Sequence, residues 1–189
     1  EEVAGDFICF GDPDAVVVVC DATCLERNLN LVLQTIEITP RVAVCVNLMD
    51  EAERKRIRID TVKLQKILGV PVLPASARKE KGLSELMDEV ARITAQPEKP
   101  RTISIRYPAP VEDAIRWVEP VLHRKFPGKI NPRWLALRLL EEDRSLTISA
   151  SQYLGCNLEQ DPEIAAAVAA GQKLLQDAEV SMELLRDQV

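Results

Sequence analysis

Apolar residues along the 189-residue chain follow two rhythms. Residues 16–20 (VVVVC) form a β-branched run with no polar alternation, the pattern of a strand covered on both faces. Leu29, Val32, Leu33 and Ile36 then recur at the i, i+3, i+4, i+7 spacing of one helical face. Residues 42–46 (VAVCV) read as a second buried strand. A charged segment follows, then a short helix opened by Asp60 as N-cap and closed at Leu68 by Gly69. Residues 70–73 give a third short strand, and Leu83, Leu86, Met87, Val90 and Ile93 mark an amphipathic helix. Three alternations of strand and helix predict a parallel sheet with right-handed crossovers.

The rhythm changes after Ile93. Residues 96–100 (QPEKP) read as a linker, because two prolines cannot continue the helix. A short extended piece at 103–107 leads into an all-helical half. Val111, Ala114, Ile115, Val118 and Leu122 share one helical face, in which Pro120 is expected to introduce a kink. Asn131-Pro132 and Asp161-Pro162 each pair an N-cap with proline at the first helical position. From Ile164 the small and apolar positions step through Val168, Gly171, Leu175, Ala178, Met182 and Leu185 at alternating intervals of four and three. That is the seam of a long helix packed along another. An intramolecular bundle is the simpler use of it, and a coiled-coil dimer the alternative.

Composition narrows the class. With 47% hydrophobic residues the chain is not disordered, and at this length it buries roughly 70% of its unfolded surface without a metal or disulfide staple. No apolar run approaches the roughly 18 residues that span a bilayer, and no signal-peptide pattern opens the chain; a soluble fragment is expected. The formal net charge of −6 argues against nucleic acid as a partner. Bases concentrate in the middle, most densely at Arg54, Lys55, Arg56 and Arg58. A solvated face accounts for this run most simply, with anionic lipid or a partner as the alternative. Five scattered cysteines without a CxxC fit a reducing compartment. Cys20 and Cys45 sit in apolar runs where a thiol acts as a small hydrophobe. His123 reads as structural or solvent-facing, and no metal ligands or catalytic residues are assigned.

Ligands of open parallel sheets bind at the carboxyl ends of the strands. Three groups fall there: Asp21-Ala22-Thr23, Asn47-Leu48-Met49-Asp50 and Ala75-Ser76-Ala77-Arg78. Thr23 and Glu26 have capping-box spacing, so the first group reads as a turn and helix cap. The other two make chemical sense together. A carboxylate at Asp50 can accept the adjacent N1–H and N2–H of guanine, a pair that adenine lacks. The Asn47 amide can bridge N7 to the surrounding loops, and the Ala77 N–H can donate to O6. Buried polar groups left unpaired by the wrong base cost about 1–3 kcal/mol each, so discrimination of this kind is strong. The structural alternative has Asp50 capping the next helical turn and Ser76 shaping a turn.

These two groups resemble the base-recognition motifs of Ras-like GTPases. The wider text around them resembles the GTPase domain of the ferrous iron transport protein B family. The residues that carry this are Val19-Cys20-Asp21-Ala22-Thr23-Cys24-Leu25-Glu26-Arg27-Asn28-Leu29, Asp50-Glu51-Ala52 and Leu68-Gly69-Val70-Pro71-Val72. In the helical half, Arg133-Trp134-Leu135-Ala136-Leu137-Arg138-Leu139-Leu140-Glu141 carries it. The resemblance implies an α/β fold: a Ras-like P-loop-type GTPase parallel sheet, incomplete and lacking its first strands and phosphate loop, followed by an all-α helical domain. It divides the chain into residues 1–96 (C-terminal portion of the GTPase domain), a linker at 97–108 and a helical, GDP-dissociation-inhibitor-like domain at 109–189. It further implies guanine-binding residues Asn47, Leu48, Asp50, Ser76, Ala77 and Arg78, with GTP or GDP as ligand. The implied partner is the membrane iron-permeation region of the same full-length protein, which places the chain on the cytoplasmic face of the bacterial inner membrane; a homo-oligomer is a further option.

Two departures qualify the resemblance. The usual GTPase lysine of Asn-Lys-x-Asp is Leu48 here, an apolar residue usual at that place in this family, which can pack over the base. The chain also contains no GxxxxGKS/T phosphate loop and no Asp-x-x-Gly. Efficient hydrolysis depends on that cradle, its lysine and Mg²⁺, so Mg²⁺ is expected only with the phosphate-binding region. Residues 1–11 read like the tail of the switch region that follows Asp-x-x-Gly, with the phosphate loop upstream. A sheet without its first strands would expose an edge and apolar surface, which argues against such a fragment standing alone. Two other readings stay open: a non-catalytic helical interaction module, and a soluble Ras-like GTPase unrelated to iron.

Overall fold

The elements of the computed structural model run in chain order α1 (Glu2–Phe10), β1 (Val16–Asp21), α2 (Leu25–Ile38), β2 (Val42–Asn47), α3 (Met49–Arg54), α4 (Thr61–Leu68), β3 (Val72–Pro74) and α5 (Leu83–Ala95). They continue with α6 (Ala109–Lys125), α7 (Pro132–Leu140), α8 (Arg144–Leu154) and α9 (Pro162–Asp177). The structure describes residues 2–95 and 105–180. The expected linker at 96–100, the start of the extended piece at 103, and Met182 and Leu185 of the seam lie outside the described residues. Contacts divide the chain into two compact units, Asp12–Ile105 and Glu1–Gly11 with Arg106–Val189. Helix α1, at the start of the expected first domain of 1–96, groups by its contacts with the helical unit.

In the sheet unit the three strands are parallel in the order β1-β2-β3, with Val16 opposite Val42 and Val44 opposite Val72. All of residues 42–46 are buried, because β2 has a strand on either side and helices over both faces. Val32 and Ile36 of α2 pack on Val18, Cys20, Val44 and Val46, with Leu68 of α4 in the same cluster. On the opposite face, Leu86 and Ile93 of α5 pack on Ala43 and Cys45. Burial pushes the Cys20 thiol up to about 11 and raises that of Cys45, which keeps both as neutral, small apolar groups. Asp60 caps α4 by accepting from the Lys63 N–H at 2.8 Å, and Gly69 ends it in the left-handed region at φ 67°, as expected.

β1 departs from the expectation of burial on both faces. Val18 and Cys20 are buried under α2, whereas Val17 is 36% and Val19 60% exposed. The cause is the reach of α5, which covers β2 and packs only Ala15 beside β1. The VVVV run therefore reports β-propensity here and not two-sided burial.

In the helical unit, proline-led caps form as predicted. Asn131 accepts from the Arg133 and Trp134 N–H groups, and Asp161 from those of Glu163 and Ile164. The predicted face of α6 is buried in full. The helix continues through Pro120 to Lys125. Ile164, Gly171 and Leu175 of the α9 seam are buried against α6 and α7. A Cβ at Gly171 would stand 2.8 Å from Leu140 Cδ2 and 3.1 Å from the Ala114 carbonyl oxygen, so glycine permits this close approach. These described seam positions pack within the helical unit, and α9 ends at Asp177. Ion pairs ring the bundle: Lys125 with Asp161 at 2.7 Å, and Arg133 with Glu112 through two bonds of 2.7 and 3.0 Å. Helix α1 packs on α8, with Ser149 bonded to Asp6 and the Phe10 ring between Trp134 and Tyr153.

Candidate functional site

The three strand ends that chemistry singled out meet at one edge of the sheet unit. Hydrogen bonds stitch them together. The Ala22 N–H donates to the Asn47 carbonyl at 2.9 Å, which ties the end of β1 to that of β2. The Met49 N–H donates to the Ala75 carbonyl at 3.1 Å, which ties β2 to the loop after β3. Asn47, Leu48, Asp50, Ser76, Ala77 and Arg78 are thereby brought into one neighbourhood, from positions up to 31 residues apart.

Each residue owes its position to local chain geometry. Leu48 takes a left-handed conformation at φ 62°, unusual for a non-glycine residue, and opens α3 without a side-chain cap. That reversal places Asp50 in the first turn of α3, where the helix dipole favours a carboxylate. Asp50 does not cap the helix. Its own N–H donates to the Ser76 hydroxyl oxygen at 3.2 Å, and its side chain is only 16% exposed. Ser76 is buried and anchored twice, its N–H donating to the Lys81 carbonyl and its carbonyl accepting from the Lys81 N–H. A single 3₁₀ turn at Ala77–Lys79 follows. Gly82, at φ 77°, lets the loop pass where a Cβ would collide with the Pro74 carbonyl oxygen.

The polar groups are mutually engaged. The Ala77 N–H, expected to face a base carbonyl, donates to Asn47 Oδ1 at 3.0 Å. This fixes the Asn47 amide with its NH₂ end turned away from Ala77. Leu48 sits half-buried beside it, while Ala77 and Arg78 are exposed. Sequence reasoning did not find Lys79, whose Nζ lies 3.1 Å from Asp50 Oδ2. The Lys79 ammonium is the main cause that holds the Asp50 carboxyl below its ordinary range, with the Ser76 hydroxyl adding to it. The only signal was a cation three residues beyond Ser76, and nothing in the spacing tied it to Asp50. Beside Asp50 runs an open cleft of about 900 Å³ where Arg56, Arg58, Lys79 and Lys81 face Asp50 and Glu53.

The first strand end is structural, with one correction. The expected Thr23–Glu26 capping box is absent, since α2 begins one residue later with Cys24 at its N-cap and no side-chain cap. The Thr23 N–H instead donates to Asp21 Oδ1 at 2.7 Å, and this bond is the leading cause that lowers the Asp21 carboxyl. The Asp21 N–H donates to the Asn28 side chain at 2.8 Å, which closes the turn on α2. His123 is exposed in the last turn of α6. Among the described residues no group of three or more His, Cys, Asp or Glu is arranged to hold a metal ion, and no helix is long and apolar enough to cross a membrane.

Comparison with known proteins agrees with this architecture. A family model described as ferrous iron transport protein B matches residues 1–90, and one described as the FeoB cytosolic helical domain matches residues 107–188. The Fe(2+) transporters FeoB of Shigella flexneri and Escherichia coli K12 are each 34% identical over 161 residues, 84% of this chain. The chain spans only 20% of their length. Among solved structures, the cytosolic domain of the T. maritima FeoB iron transporter in a GDP form is 30% identical with a TM-score of 0.71; 98% of this chain and 69% of that one are covered. The structure of mGMPPNP-bound NFeoB from S. thermophilus gives a TM-score of 0.73 at 27% identity, with 99% of this chain and 70% of that one covered. With both halves of the chain matched in order, this protein belongs to the ferrous iron transport protein B family.

Proposed function

We propose that this chain is the guanine-recognising portion, with its helical domain, of the cytosolic region of a ferrous iron transporter. The observation that carries the reading is the convergence of Asn47, Asp50, Ser76 and Ala77 through bonds between the β2 and β3 loops. Asp50, held ionised, accepts from N1–H and N2–H of guanine. The NH₂ of Asn47 donates to N7, Leu48 packs over the base, and the Ala77 N–H turns from Asn47 to O6. Ser76 positions Asp50 by accepting from its N–H. Arg78 lies at the exposed rim of the same loop. The T. maritima and S. thermophilus relatives, described with GDP and mGMPPNP, support a guanine nucleotide as the ligand.

The 189 residues supply base recognition and contain no phosphate-loop motif. GTP hydrolysis therefore needs a phosphate cradle contributed by residues outside this sequence, and Mg²⁺ would be held there. In the whole protein the nucleotide state would regulate movement of Fe²⁺ through a membrane region, at the cytoplasmic face. The part of the α9 seam from Ile164 to Leu175 packs inside the helical unit, which favours the intramolecular use of those positions.

The test is a titration of the chain with guanosine, inosine and adenosine, followed through the amide signals of Asp50 and Ala77. Inosine lacks the N2 amine, so it should bind roughly tenfold or more weakly than guanosine, the loss of one hydrogen bond to a charged acceptor. Adenosine should leave both signals in place. Equal responses to all three would refute base recognition at this site.

A further inference from the structure

We propose that Lys79 is a built-in competitor for the guanine site, which holds the Asp50 carboxylate until the base displaces it. The proposal rests on the guanine reading of Asp50 given above. Lys79 Nζ lies 3.1 Å from Oδ2, and the carboxylate is mostly shielded while the lysine side chain is 53% exposed. A guanine edge needs both carboxylate oxygens for its paired N1–H and N2–H donors, and Oδ2 already receives the ammonium. The second base contact is engaged in the same way, because the Ala77 N–H donates to Asn47 Oδ1. The site thus satisfies its own donors and acceptors between the two loops that form it. Asn47 and Ala77 exchange one neutral bond for another when the base enters, whereas at Asp50 the base competes with a charged partner for Oδ2. Lys79 reaches Asp50 because the 3₁₀ turn at Ala77–Lys79 folds it back over the first turn of α3. An ammonium at this distance mimics the donor edge of guanine, so it weakens binding without distorting the pocket.

Two measurements on the whole chain test this. The first needs no nucleoside: carboxyl titration of Asp50 by ¹³C NMR in the wild type and in Lys79→Met. In the variant Asp50 should titrate closer to the ordinary carboxylate range, and an unchanged titration would mean that the ion pair does not form in solution. The second is guanosine binding as a function of salt. Exposed ion pairs are weak, so Lys79→Met should bind guanosine only roughly two- to fivefold more tightly than wild type. Salt screens the pair, and guanosine is uncharged; wild-type affinity should therefore rise with ionic strength, while that of Lys79→Met stays flat. Lys79→Arg, which keeps the charge, should retain the wild-type salt response. Guanosine selectivity with equal or weaker binding by Lys79→Met would overturn the competitor and leave base recognition standing. A lack of selectivity for guanosine over adenosine in both proteins would instead remove the guanine reading itself, and the competitor with it.

Discussion

The two units bury their apolar surface in different ways. The helical unit closes on itself: Ile115, Leu122, Leu135, Leu137, Leu140, Leu158, Ile164 and Leu175 are all buried to within 2%. In the sheet unit the largest side chains buried to that degree are valines (Val32, Val42, Val44, Val46 and Val70), while Val19 of β1 stays 60% exposed. Leucines interdigitating between helices give a core that stands by its own packing. The valine sheet is thinner, open on one face of β1, and holds its polar machinery at the strand ends. On the guanine reading proposed above, the best-packed core and the ligand chemistry lie in separate parts of the sequence. Substitutions in one unit should leave the property of the other nearly untouched.

Core truncation in the helical unit gives the largest expected effect. Leu135→Ala or Leu140→Ala should destabilise it by roughly 2–5 kcal/mol, read by urea denaturation with Trp134 fluorescence as the probe. Amide signals of Asp50 and Ala77 should respond to guanosine as before; a lost response would break the separation of roles. Overpacking comes next. Gly171→Val places atoms against Leu140 and the Ala114 carbonyl and should cost roughly 1–3 kcal/mol. An unchanged urea midpoint would show that α6 and α9 are looser than described.

A smaller effect is set by pH. The Arg133 guanidinium beside Glu112 is the main cause that holds its carboxyl below the ordinary range, with the Tyr107 N–H contributing. A carboxyl lowered in the folded state contributes stability above its unfolded pKa, and that contribution fades as pH falls through the lowered value. The helical unit should therefore lose stability on acidification below the ordinary Glu range, and Glu112→Gln should flatten that slope. An equally steep slope in the variant would exclude this pair as its source. The smallest effect is expected at the open face of β1. Val19→Thr should change the stability of the chain by no more than about 0.5 kcal/mol, against a clearly larger loss for Val44→Ala. Comparable losses would mean that β1 is covered on both faces in solution.

Much of this arrangement was legible in the residues. Helix starts at Asp60, Asn131 and Asp161 were readable because capping is local and the responsible atoms lie within three residues. The parallel sheet followed from uninterrupted valine runs joined by helical periodicity. What escaped depended on long-range placement. The one-sided burial of β1 is decided by where α5 lands, which no window of sequence records. α3 was read only as a charged segment, since Met49–Arg54 carries one buried residue and no apolar face. The start of α2 slipped by one position, and Asp21 took the Thr23 N–H that a capping box would have donated to the Glu26 carboxylate. At the site, residue types at the strand ends could be named, but their mutual bonds could not. Both Asn47–Ala77 and Asp50–Lys79 join residues about 30 positions apart.

The central claim is that Asp50 reads the base, and exchanging its carboxylate for an amide addresses that claim directly. Guanosine and xanthosine should be titrated against the wild-type chain and against Asp50→Asn, with the Ala77 amide as reporter. The wild type should prefer guanosine. In Asp50→Asn the amide donates where the carboxylate accepted, so the preference should turn to xanthosine, whose 2-oxo group accepts. A variant that keeps the wild-type preference for guanosine would contradict the account.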